Sequence, residues 1–170
     1  MEVRHMVSIE DIPVETRWEI AAKSASTVPL LYDKHFRKVL KEKYDDIERP
    51  IWIESGKEMK NLAEVLDLPR DKAQEISESL GVIGAILYGP EMKTELVEAT
   101  EDSAVGRKTQ CSVLNRANEM GLDPKISAQR ACMVFLKTAV EALNPAFAYR
   151  LNKSMCSGDD YCEMVIEKKR

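Results

Sequence analysis

The sequence predicts an α+β domain: N-terminal helices followed by a four-stranded antiparallel sheet of two hairpins backed by helices. Three observations carry that prediction. Apolar residues recur at helical spacing through the first half of the chain. The period changes after Gly89-Pro90 to short β-compatible runs, and all four cysteines fall between Cys111 and Cys162. At 170 residues the chain suits one compact domain, with 1–90 as its helical region and 91–170 as its α+β, cysteine-containing region.

Each element has its own signal. From Thr16 to Tyr44, Trp18, Ala21, Ala22, Ala25, Val28, Leu31, Phe36, Val39 and Leu40 follow helical spacing with Pro29 among them, which predicts two helices or one helix kinked near Pro29. Glu48-Arg49-Pro50 is expected to stop that run. After Ser55-Gly56 a short amphipathic turn follows, Met59, Leu62, Ala63 and Leu66, closed by Pro69. Asp71 is expected to cap a helix from Lys72 to Tyr88, whose last part, Val82 to Tyr88, is apolar enough to be the buried central helix. Thr94 to Thr100 and Ala104 to Cys111 form a predicted hairpin around Glu101-Asp102-Ser103. Helices are expected over Ser112 to Met120, ended by Gly121, and over Ser127 to Leu143, ended by Asn144-Pro145. Phe147, Tyr149 and Leu151 then alternate with polar neighbours, as do Cys162, Met164 and Ile166, which gives the second hairpin.

Composition excludes several classes. The chain is 44% hydrophobic and 32% charged, so it has material for a core and is not a disordered or repetitive polymer. A net charge of -4 provides no basic field to collect phosphates, and nucleic acid is not expected as a partner. The longest apolar run, Val82 to Tyr88, falls far short of the roughly 20 residues of a membrane helix, and Met1 to Glu10 lacks an apolar signal core. A cytoplasmic protein without a membrane partner is the expectation.

The cysteines are the strongest chemical signal. Cys111, Cys132, Cys156 and Cys162 are separated by 20, 23 and 5 residues. In a reducing compartment such a group reads as a metal site, a redox site or a set of buried thiols. Gly158 and the Asp159-Asp160 pair supply turn chemistry between the last two cysteines, so both sulfurs can face one point. Cys132 shares an apolar stripe with Phe135, Leu136, Ala139 and Leu143, and Cys111 stands where a helix begins. Soft thiolates select zinc or an iron–sulfur cluster over hard cations, yet the spacing alone leaves metal ligation and unligated thiols both open.

From about Lys93 to Lys169 the chain resembles the 4-vinyl reductase domain and the related L-2-amino-thiazoline-4-carboxylic acid hydrolase-like proteins. The residues that carry the resemblance are Cys111 after the hairpin, Cys132 on the following helix, Asn144-Pro145, and above all Cys156-Ser-Gly-Asp-Asp-Tyr-Cys162-Glu-Met-Val-Ile-Glu167. The resemblance implies an α+β ligand-binding domain, often a homodimer, with a metal held by Cys132, Cys156 and Cys162 and with Cys111 as the fourth ligand. It also implies small-molecule binding or sensing, or hydrolysis of a cyclic thiazoline-like or amide substrate.

Other signals are weaker. No GxGxxG, P-loop, HExxH or GxSxG is present, so nucleotide chemistry and serine hydrolysis have no anchor. His5 and His35 are the only imidazoles, and neither is placed beside a cysteine by spacing. Leu62 to Leu80 has a helix-turn-helix cadence, but Asp71, Glu75 and Glu78 would face a phosphate-rich groove. Asp159-Asp160 reads as a solvated turn that could support the neighbouring cysteines. The expected function is a small-molecule-binding or sensing domain with a cysteine-held zinc, or alternatively an iron–sulfur cluster. A hydrolase with Cys111 as candidate nucleophile and a structural partner protein are the alternatives. Homodimerisation through Thr16 to Leu66 is expected from the excess of apolar helical positions there.

Overall fold

Two long helices open the chain, and their boundaries differ from the sequence expectation. The computed structural model describes residues 8–170. Helix α1 spans Val14–Leu40 without a break, with Pro29 inside it, and α2 spans Lys43–Val65, with Pro50 inside it. The chain turns at Lys41 (φ 55°), where the Tyr44 amide donates to the Lys41 carbonyl. Proline removes one helical hydrogen bond, but a long helix packed along one face continues through it because tertiary burial outweighs that local loss. Of the two readings at Pro29, two helices or one, the single helix is found, and the stop expected at Pro50 is corrected.

Charge fixes the α1–α2 corner. Arg37 Nε lies 2.7 Å from Asp33 Oδ1, and Nη1 lies 2.6 Å from Asp45 Oδ1. Glu48 Oε2 is 3.5 Å from the same guanidinium, and Trp52 Nε1 donates to Glu48 Oε1 at 3.0 Å. Asp33 and Glu48 are buried, so Arg37 is the cation on which both depend. Arg130 reaches Asp45 from the far side and ties this corner to the next helical layer.

Gly56 is a packing device in mid-helix and not a helix start. A Cβ built there would sit 2.8 Å from the Phe135 carbonyl oxygen and 2.8 Å from Thr138 Cβ. Both atoms belong to the helix Arg130–Leu143, designated α5 below, which α2 crosses at this point. Backbone oxygen cannot swing aside as a side-chain tip can, so Gly56→Val is expected to lower stability by about 1–3 kcal/mol. Thermal unfolding checks this, and an unchanged melting temperature would show that the two helices separate freely.

Helix α3, Ala73–Tyr88, runs from that layer to the sheet. Its N-terminus is closed by Glu75, whose carboxylate accepts from the Asp71 and Lys72 amides at 2.8 and 3.3 Å, in place of the Asp71 cap expected from sequence. Ile76, Ser79 and Ile83 are buried, whereas Val82 and Ile86 are 45% and 48% exposed. The stretch Val82 to Tyr88 is thus one-sided, and only one face of it looks inward.

The sheet matches the expected two hairpins. Strands β1 (Lys93–Ala99), β2 (Ser103–Gln110), β3 (Phe147–Lys153) and β4 (Cys162–Lys168) are ordered β1-β2-β4-β3, antiparallel throughout. Between the hairpins lie α4 (Ser112–Glu119) and a π-helical turn over Lys125–Gln129 that leads into α5. Register places Ala104 opposite Ile166, Gly106 opposite Met164 and Lys108 opposite Cys162. One face of the sheet joins Ile76, Ile83, Val140, Leu143, Phe147, Tyr149 and Ile166 in the core. Lys108 shares that inward phase with Ala104 and Gly106.

Candidate functional site

A chamber with a cavity volume of about 120 Å³ opens between α1, α3, α5 and the inner face of the sheet. Leu30, Ile83, Leu87, Phe135, Leu136 and Met164 give it an apolar body. All four cysteines line it, which the sequence expectation of convergence anticipated. Four different elements bring them there: Cys111 precedes α4, Cys132 rides α5, Cys156 sits in a short 3-10 turn over Met155–Ser157, and Cys162 starts β4. Each is partly exposed and none is in a disulfide.

The loop between the last two cysteines folds as its composition suggests. Gly158 adopts φ 100°, a left-handed conformation that few other residues accept. Asp159 Oδ2 accepts from the Ser154 amide at 2.7 Å and closes the loop, while the Met155 amide donates to Cys162 Sγ at 3.4 Å. Ser157 Oγ donates to Gln129 at 2.8 Å and pins the loop to the π-helical turn. Asp159 therefore acts as a turn former beside the cysteines, in keeping with the solvated-turn reading.

Burial sets the protonation of these groups. It pushes the Cys132 thiol up to about 11, against the pull of Lys108 and with further upward pressure from Cys111 and Cys162. Cys156 is pushed up to about 12 by burial and then by the three other cysteines. Burial also raises Cys162, partly offset by the Met155 amide and by Lys108. Tyr88 rises to about 12 and Tyr149 well above the ordinary tyrosine range, again from burial first and nearby cysteines second. As free groups at neutral pH, these thiols and phenols keep their protons.

The donor set fits a soft metal by its chemistry. Its geometry is more open: among the described residues, no three Cys, His, Asp or Glu side chains form a ligand cage. The arrangement brings all four cysteines to the lining of one chamber without closing them around a point. Among the described residues no carboxylate or imidazole lines the chamber, so none of them stands beside Cys111 as a general base for the hydrolase alternative. His35 is exposed on α1, and His5 lies outside the described residues.

Two polar residues escaped the sequence reading. Among the described residues Lys108 is the only charged one on the chamber wall, and it also lines the adjoining cavity between α3 and the sheet. Tyr149 lines both spaces too, and its hydroxyl is buried without a hydrogen-bond partner. The signal was present in the strand periodicity, since Lys108 falls in phase with Ala104 and Gly106, on the face that a one-sided sheet reserves for apolar residues.

Fold and chamber together define an α+β domain with an enclosed apolar pocket. No protein-family model and no curated protein sequence matches the chain. Among solved structures it is similar to the phenol-responsive sensory domain of the transcription activator PoxR, solved with phenol, at a TM-score of 0.60 and 9% identity, over 86% of this chain and 74% of that one. It is also similar to trafficking protein particle complex subunit 3 from Naegleria fowleri, solved covalently bound to palmitic acid, at a TM-score of 0.59 and 10% identity, over 86% of this chain and 96% of that one. At these identities the likeness is one of fold.

Proposed function

We propose that this chain is a small-molecule-binding domain of the sensing kind, which encloses an apolar ligand of single-ring size in the chamber between the helices and the sheet. The observation that carries the reading is the chamber itself: about 120 Å³ of space, close to the size of cavities that hold one benzene ring, walled by apolar side chains with few polar groups. The two structures of similar fold, one solved with phenol and one with a fatty acyl chain, support an apolar occupant. Titration calorimetry with phenol, toluene, benzyl alcohol and benzoate tests it. Saturable one-to-one binding of at least one compound is expected, and no binding by any would end the reading.

A metal belongs to the same proposal. Zinc held by Cys132, Cys156 and Cys162, with Cys111 as the fourth ligand, is supported by donor chemistry and by the shared chamber; an iron–sulfur cluster is the alternative. Such an ion would supply cross-linking of α5 to the 3-10 turn and to β4. Near-stoichiometric metal is expected in protein purified without oxygen. If it is bound, Cys132→Ser and Cys156→Ala will lower the melting temperature more than Cys111→Ala, because metal binding is coupled to folding. Metal-free protein with four freely titratable thiols would remove this part and leave the chamber untouched.

The exposed face of the first two helices supports a second copy of the chain as partner. Ile20, Leu31, Tyr32, Phe36, Val39, Ile47 and Ile51 are all exposed along α1 and α2. So many large apolar side chains on one pair of helices exceed the scattered exposure usual on a monomer. Light scattering is expected to give twice the 19.3 kDa chain mass, and a monomeric mass at micromolar concentration would refute it.

A further inference from the structure

We infer that the ligand of this chamber is an anion, a compact apolar carboxylic acid whose carboxylate is held by Lys108 and Tyr149. The inference rests on the proposed ligand-binding reading and specifies its chemical class. Lys108 lies on the inward face of β2, directly opposite Cys162 on β4, and antiparallel partners bring their Cβ atoms to within about 5 Å. No carboxylate in the protein pairs with it among the described residues, and no acidic side chain lines either cavity it borders. Other cations of this chain that turn inward find acids: Arg37 has Asp33, Asp45 and Glu48, and Arg116 has Glu91 and Glu119. Lys108 has no such acid among the described residues, and it lines the chamber.

The unpartnered hydroxyl of Tyr149 makes the second half of the site. A buried polar atom without a partner costs free energy that native structures rarely leave uncompensated, so an O–H turned to a ligand cavity is an acceptor's mark. Tyr149 enters from β3 and Lys108 from β2, on either side of β4, and both border the same two cavities. An ammonium and a phenol donating from two sides match the two oxygens of a carboxylate. Much of the rest of the wall, from Leu30 and Phe135 to Leu136 and Met164, is apolar, which suits a single ring or a short branched chain.

The test compares matched pairs on the full chain by calorimetry at neutral pH: benzoate against benzyl alcohol, and cyclohexanecarboxylate against cyclohexylmethanol. Each acid is expected to bind more tightly than its alcohol. Lys108→Met should weaken acid binding about tenfold or more and leave the alcohols within about threefold, since a hydrogen bond to a charged group is the interaction removed. Tyr149→Phe should weaken the acids by a smaller factor, and Lys108→Arg should retain the preference for them. Should Lys108→Met fail to fold, the acid-to-alcohol ratio on the unaltered chain and in Lys108→Arg decides the matter. Alcohols that bind as tightly as acids overturn the inference and leave the ligand-binding reading standing. Acid affinity indifferent to Lys108→Met, with altered metal content or thiol titration instead, assigns the lysine to the cysteines and also overturns it. Binding of no compound ends both readings.

Discussion

Replacing Arg37 by methionine will destabilise the domain by about 3–5 kcal/mol at neutral pH, the range seen when one partner of a buried ion pair is removed. The guanidinium is the cation between Asp33, Asp45 and Glu48, and two of those carboxylates are buried. Methionine keeps the length and apolar stem of the side chain, so the loss reports charge more than packing. The pH dependence has a definite sign. Burial, the largest influence, already raises Glu48, with Trp52 and Arg37 opposing and Asp33 and Asp45 adding to the rise. Without Arg37 the folded-state affinity of Glu48 for protons rises further above that of the unfolded chain. A group so raised contributes stability that is present at low pH and lost as pH climbs through its folded-state value. The deficit of the variant should therefore shrink on acidification through the carboxylate range. Denaturant unfolding at pH 4 and pH 7 measures it, and an equal deficit at both would show that the charges are screened by solvent.

That cluster also marks where sequence reading stops. Strand alternation in Phe147, Tyr149, Leu151 and in Cys162, Met164, Ile166 was legible because a one-sided sheet forces a period of two. The placement of the cysteines was legible too, as each stood at an element end, in a turn or on an apolar stripe. Helix boundaries in the first half were not. Pro29 and Pro50 are local signals against a helix, and what overrides them is distant packing that no window along the chain contains: α2 against α5 through Gly56 for Pro50, and α1 against α3 and α4 for Pro29. Val82 to Tyr88 misled in the opposite sense, because an apolar run does not reveal that Val82 and Ile86 lie on an exposed side. Lys108 went unnoticed because a lysine in a strand is usually outward. Its phase with buried Ala104 and Gly106 places it on the inner face, opposite Cys162.

Gly84→Leu separates stability from binding. Gly84 lies within α3 and lines both the chamber and the cavity beside it, and a Cβ added there would meet no atom within 4 Å. Glycine inside a helix costs about 1 kcal/mol relative to a good helix former, because the unfolded chain has more freedom to lose. Leucine recovers that and places four carbons in space that is otherwise empty, so the melting temperature of the ligand-free variant should rise. The same four carbons take much of a cavity of only about 120 Å³, and a ring-sized ligand can then enter only by displacing wall atoms that are already close-packed. Binding should fall by at least about a hundredfold, as about 3 kcal/mol of overpacking implies. Gly81→Leu, one helical turn earlier and bordering only the adjoining cavity, is the comparison: it should stabilise α3 by a similar amount and leave ligand affinity nearly intact. If Gly84→Leu stabilises the protein and still binds the ligand of the unaltered chain, the ligand lies elsewhere on the molecule. If it unfolds the protein while Gly81→Leu does not, the chamber is a narrower space than its walls describe. A domain kept below its attainable stability by a glycine that faces a cavity is the pattern expected where the empty space itself is used.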